Sequence, residues 1–445
     1  MSGRASHAGC VATERGRRAV VGRAALGAAL IGVAARPGAA GAQDRLLDLR
    51  AAGTGVEAEG VSFGAGAWQA PLPGQDSVRI RSASQLTIPL TAAVPIGRFV
   101  TVDATTLYAT STVRYDRADA SGVLHQAHAS MSGLSDVRVR LTARLFDERL
   151  VVTAGANAPT GRTSLDSAQL LTARVLAAPA VGFGAPPIGA GPSGTLGVLT
   201  AQRVGMWAVA AGVSYEHRGS YAPVTALIAG LSSLDFTPGD VMHVSVAGDG
   251  LLGRGRLSMT LATDFFRRDR LRGGVLGVGV SSTEPSAPQP SAVETVATVA
   301  TVQLGPVVSA DVQYHAPVPA VRDLVFYTGV QYRAPYARDG VRLTNTNTAY
   351  LNGGVRTLVP LAPGRDAFID GGVRFSSGIA TGGGLTTARY TAGAVTAGVS
   401  QRVRRLVAQP YLRAQVGRVI GRGLDAQHDA SFGGGAAGLA LLTRF

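Results

Sequence analysis

The chain contains no lysine; all 42 of its basic residues are arginine. It has one cysteine, Cys10, so a chain trimmed after an N-terminal leader could form neither a disulfide nor a cysteine metal site. Charged residues make up 16% and aromatic residues 6%. That charge content is too low for a disordered polar chain, which has to stay solvated throughout. After the first fifty residues there is no uninterrupted apolar run long enough for a membrane-spanning helix. Glycine, at 59 of 445 residues, is too frequent for a helical bundle, because each glycine in a helix interior costs about 1 kcal/mol relative to alanine. A β protein with many apolar surface positions remains.

The net charge of +14 does not indicate nucleic-acid binding, because the arginines are spread singly along the chain and not gathered with aromatics on one element. The N-terminus explains part of the excess. Arg15, Arg17 and Arg18 precede a short apolar stretch from Ala24 to Ala35, and Ala40-Gly41-Ala42 follows. That order predicts a secretory signal over residues 1–42, cleaved before Gln43, with 43–56 as a periplasmic segment and 57–445 as the folded body.

Within that body the polarity alternates. Val137, Val139, Leu141, Ala143 and Leu145 oppose Arg138, Arg140, Thr142 and Arg144, as side chains of period two require. Val78, Ile80, Leu86, Ile88 and Leu90 similarly oppose Arg79, Arg81, Gln85 and Thr87. Short turns, for example near Asp147-Glu148, Arg203–Gly205 and Ala362–Arg365, alternate with longer polar connections at 115–134, 158–192, 220–239, 268–291, 334–346 and 419–430. This asymmetry predicts an all-β, antiparallel, up-and-down transmembrane barrel in the outer membrane of a Gram-negative-type envelope. The chain offers seventeen candidate strands, and an even number is needed. Gly305-Pro306 is read as a kink within one strand and His315 to Arg322 as a turn, giving about 16 strands, with 14 the next choice. Trp207 and Tyr215 lie at opposite ends of one apolar face, as interfacial girdles require.

The final strand carries Leu439, Leu441 and a terminal Phe445 on one face. This ending resembles the signature by which outer-membrane barrels are recognised by the barrel assembly machinery. The resemblance implies that machinery as a partner, alongside the lipid bilayer.

In a barrel the polar faces line the lumen. The candidate lining comprises Arg79, Arg81, Asp103, Arg138, Arg140, Arg256, Asp264, Asp370, Arg374 and Arg413. Two readings stay open: the arginines pair across strands and fill the lumen, or they form a weakly anion-attracting wall. The long connection from Pro159 to Pro192 carries Leu170, Leu171, Arg174, Val175 and Ala178 at helical spacing, so it is either a short helix folded into the mouth or an exposed loop. His125 and His128, placed in a loop, lack a third ligand. No nucleophile elbow or phosphate-binding glycine loop occurs, so no metal, cofactor or enzymatic activity is expected.

Gly133-Leu134-Ser135-Asp136-Val137-Arg138, followed by Pro159-Thr160-Gly161, resembles a strand opening and a later strand ending found in outer-membrane transporters of the phenol-degradation MetA type, relatives of the long-chain fatty-acid channel. The asparagine-proline-alanine segment near the start of the fatty-acid channels is absent. The resemblance implies passive uptake of small hydrophobic or aromatic molecules. The alternative is a structural or adhesive barrel with a plugged lumen.

Overall fold

The computed structural model describes residues 51–445 except 65–77, 119–120, 147–148, 177–181, 184–187, 225–233, 276–295, 320, 344–345, 378, 382–384, 388, 423–426 and 445. The expected leader and Phe445 lie outside the described residues. The wall is built from β1 (Ala51–Phe63), β2 (Val78–Ile96), β3 (Val100–Ala118), β4 (Leu124–Leu134), β5 (Val137–Leu145), β6 (Leu150–Ala158), β7 (Ser193–Val204) and β8 (Trp207–Arg218). It continues through β9 (Val241–Leu252), β10 (Gly255–Phe266), β11 (Val307–Ala316), β12 (Asp323–Arg333), β13 (Thr348–Ala362), β14 (Arg365–Ser376), β15 (Arg389–Val403), β16 (Leu406–Arg422) and β17 (Gln427–Arg444). Successive wall strands pair antiparallel, with β4 and β5 both pairing with β3, and β1 closes the sheet on β17 in an unbroken register from Ala51↔Arg444 to Phe63↔Phe432. Closure leaves no sheet edge to meet lipid with unpaired backbone groups.

β4 and β5 are two halves of one wall strand, since both run along β3. The barrel therefore has 16 strands. The first begins at Ala51, six residues before the expected boundary at 57. Two expected loops are shorter than the composition suggested. Most of 115–134 belongs to β3 and β4, which pair from Ala118↔Leu124 down to Tyr108↔Leu134, and 419–430 is largely the paired ends of β16 and β17. Strand ends that carry Arg, Asp, His and Gln, as these do, are as polar as loops, so composition alone does not separate them. At Leu304-Gly305-Pro306 the strand ends instead of kinking: Val296–Gln303 belongs to a separate six-stranded sheet, and β11 starts in the wall at Val307, because proline has no backbone N–H to carry a ladder across.

Leu141, Leu196, Val246, Leu261, Val330, Val373, Leu412 and Val416 are each between 41% and 68% exposed, on the outward face of their strands. An apolar girdle of this kind is stable only against hydrocarbon. No helix among the described residues is long and apolar enough to cross a membrane. Leu141 lies midway along β5, so Leu141→Arg should lower stability by about 2–4 kcal/mol if it sits at the bilayer midplane. Urea unfolding in lipid vesicles, compared with Leu141→Val, measures this.

Candidate functional site

Helix α1 (Ser167–Leu176) is the only α-helix among the described residues. It starts earlier than the apolar spacing suggests because of a reciprocal cap: Gln169 N donates to Asp166 Oδ1 at 2.8 Å, and Asp166 N donates to the Gln169 side-chain carbonyl at 3.2 Å. Two backbone donors that the helix cannot satisfy are thereby paired.

The helix packs inside the wall. Leu171, Ala173, Val175 and Leu176, with Leu165 and Phe183 of the same connection, form one buried cluster with inward residues of the wall. Those are Val61 of β1, Ile80 and Ala83 of β2, Val113 of β3, Met131 of β4, Tyr390 and Ala392 of β15, Val419 of β16 and Phe432 of β17. Thr172 is buried too and donates to the Ala168 carbonyl at 3.0 Å. The helix is thus enclosed on several sides and does not rest one apolar stripe on the rim.

On β1, β2, β3 and β16 the inward positions change character below this cluster. Glu59, Gln85, Thr87, Ser111 and Gln415 are buried there. Arg413 pairs with Glu59 and lies 3.6 Å from Glu57. Gln85 donates to Ser111 Oγ at 3.2 Å, and Arg374 donates to the Gln415 side-chain carbonyl at 2.9 Å. The connection touches this layer at Gly182, where an added Cβ would lie 2.3 Å from Arg374 Nη1 and where φ is +71°. Glycine satisfies both constraints.

Elsewhere on the inward face, Arg140 donates to Asp103 at 3.0 Å. Arg356 Nε and the Tyr327 hydroxyl donate to the two oxygens of Asp370 at 2.8 and 2.7 Å. Arg256 pairs with Asp249, a residue absent from the expected lining, while Asp264 is bonded to His243 at 2.6 Å. Arg138 shares the inward face with Arg140 and has no ion pair among the described residues.

Arg79 and Arg81 are not on this face. The β2–β3 register shifts between Ile80 and Ser82, which turns Ile80 and not Arg81 into the buried cluster. A bulge inserts one residue, so the facing read from either end fails across it. His125 and His128 lie on β4, not in a loop, and their odd and even positions put them on opposite faces.

A second bulge creates the feature that the candidate list omits. At Ser135-Asp136, between β4 and β5, the chain has one more residue than β3 opposite it, and the buried Asp136 carboxylate accepts three donors. Gly161 N reaches Oδ1 at 2.9 Å; Asn157 Nδ2 and Ala190 N each reach Oδ2 at 2.7 Å. Asn157 also donates to the Gly191 carbonyl at 2.6 Å. Thr160 Oγ1 accepts from Val137 N at 2.9 Å and donates to the Ser135 carbonyl at 3.3 Å. A Cβ on Gly189 would stand 2.5 Å from Asp136 Oδ1, so the carboxylate can reach this backbone only where the side chain is absent. The residues that carried the family resemblance therefore form a knot that joins the two ends of the inserted connection to the wall.

The closed wall, its apolar girdle and the contrast of short turns with long connections define a transmembrane β-barrel of the bacterial outer membrane. More narrowly, it is a barrel whose mouth is filled by its own 159–192 connection. No family model and no curated protein matches the chain. Among solved structures it is similar to OprB of Pseudomonas putida in its low-pH form, at 9% identity over 87% of this chain and 91% of that one, TM-score 0.40. It is also similar to the COG4313 outer membrane channel of Pseudomonas putida F1, at 13% identity over 89% and 96%, TM-score 0.31. For the CymD monoaromatic hydrocarbon channel the values are 9% identity over 93% and 95%, TM-score 0.36. Likenesses this remote carry no argument, and the fold rests on the strand pairing itself.

Proposed function

We propose that the protein is an outer-membrane channel for passive entry of small hydrophobic or aromatic molecules, with the Pro159–Pro192 connection acting as its constriction. The supporting observation is the apolar cluster on the inward side of the wall, where barrels that conduct water-borne solutes are polar. Ile80, Val113, Met131, Tyr390 and Phe432 form a surface that an apolar solute could occupy once the helix shifts. The polar layer beneath sets Glu59 and Glu57 against Arg413, with Arg374 held by the neutral Gln415, so two carboxylates balance two guanidiniums and the layer opposes neither weak anions nor neutral solutes. A plugged structural barrel is the competing reading, and the enclosed helix favours it.

Uptake into proteoliposomes separates the two. The folded protein should admit 4-hydroxybenzoate faster than glucose, relative to protein-free vesicles. Equal, protein-independent rates for both would leave the plugged barrel as the function.

A further inference from the structure

The bulge that removes Arg79 and Arg81 from the lumen places them on the outer face of the wall, above the apolar girdle. In β3, Val113 and Tyr115 pack inward, so Arg114 and Asp116 face outward. Asp116 has no exposed side-chain surface, and Arg81 Nε donates to both its oxygens at 2.8 Å. The guanidinium is fixed by this pair while 51% of the Arg81 side chain stays exposed, with its terminal nitrogens available. Arg114 pairs in register with Ser82 of β2 and His128 of β4, so Arg79, Arg81, Arg114 and His128 share one outward patch around the buried Asp116 carboxylate.

The residues between this patch and the girdle matter equally. Between the arginines and the girdle, the nearest outward apolar residues are Leu86, Tyr108 and Leu134; above them the same faces carry Ser84, Thr110, Thr112, Ser130 and Ser132, and Leu124 follows only at the tip of β4, beyond His128. Arg114 is six residues beyond Tyr108, about 20 Å along the strand. A phospholipid interface is only about 5–8 Å deep, so its phosphates would lie below the arginines. A lipid with a tall, phosphorylated saccharide headgroup fits: hydroxyl side chains bond sugar hydroxyls, and a pre-oriented guanidinium binds phosphate through two parallel N–H donors.

We propose that the outer face of β2, β3 and β4 is a binding site for a phosphorylated glycolipid of the outer leaflet, with Arg81 and Arg114 as the phosphate ligands. The full-length protein, folded in detergent, is titrated with rough-type lipopolysaccharide bearing phosphorylated core sugars, and with the same material stripped of phosphate by cold hydrogen fluoride. The phosphorylated form should bind more tightly, and Arg81→Gln with Arg114→Gln should weaken it by about tenfold or more, because both charged donors to the phosphate are lost. Arg114→Gln alone removes no protein–protein bond among the described residues, so it serves if the double variant fails to fold; it should lose affinity while keeping its heat-modifiable gel shift. Arg81→Lys with Arg114→Lys should retain part of the affinity. Equal binding of both lipid forms, unchanged affinity in the glutamine variants, or displacement by inorganic pyrophosphate at the lipid's own affinity would overturn the proposal.

Discussion

Replacing residues 165–187 with a four-residue glycine-serine linker should raise solute flux several-fold and reduce discrimination between 4-hydroxybenzoate and glucose. The excision takes out α1 and Phe183, which fill the mouth, but leaves Gly161, Gly189 and Ala190 on the Asp136 knot. A short linker can span the gap because the chain already meets there: Gly189 N donates to the Arg162 carbonyl at 2.8 Å. The barrel should survive, since no strand-to-strand backbone bond of the wall involves the described residues of 165–187 and shortening a loop lowers its closure entropy. Some stability should be lost where Ile80, Val113 and Met131 become wetted. Flux in proteoliposomes and the urea midpoint, measured on the same preparation, give both numbers. Unchanged flux would mean that the constriction lies in the paired polar layer beneath.

Asp136→Ala should be the most destabilising single change in the lumen mouth. It leaves Asn157 Nδ2, Gly161 N and Ala190 N without their acceptor in a buried setting, at about 1–3 kcal/mol for each donor that water does not reach. Asp136→Asn should cost less, because one carbonyl oxygen still accepts, yet its amide hydrogens would face N–H groups on the other side. Both should produce fluctuating conductance, since the connection loses its fixed base while α1 stays intact. Planar-bilayer recordings test the fluctuation and urea unfolding tests the cost. A quiet channel with wild-type stability for Asp136→Ala would show that the helix is held by its apolar cluster alone.

Much of the fold is legible along the chain because a strand repeats every two residues. Val139 and Leu141 against Arg138 and Arg140 is readable without any partner strand, and the structure places the pairs on opposite faces. The rule fails where one extra residue enters a strand. At Ile80–Ser82 and at Ser135-Asp136 the alternation changes phase, and no local composition marks the step, because a bulge is defined by the strand opposite. Extending the phase of Leu86 and Ile88 across the first bulge puts Arg79 and Arg81 in the lumen, on the face opposite to the one they occupy. Nothing local marks Asp136 as a site residue, because it stands alone between Ser135 and Val137 and its donors come from 21 to 54 residues downstream. Its one visible sign was the family-like pairing with Pro159-Thr160-Gly161.

What the sequence determined by itself is the class: alternation over short segments, scarce charge and unequal connections admit a closed membrane barrel and little else, since an apolar face on every strand must meet either a core or lipid. Tertiary structure alone decided the direction of the 159–192 connection. Helical spacing at Leu171 and Val175 states that an apolar surface exists; only the inward placement of Val61, Met131, Tyr390 and Phe432 supplies a surface to bury it against. The ion pairs were decided in the same way. Arg413 meets Glu59 from the opposite end of the chain because closure sets β1 and β16 on either side of β17, where the small side chain of Ala436 lets the two meet across it.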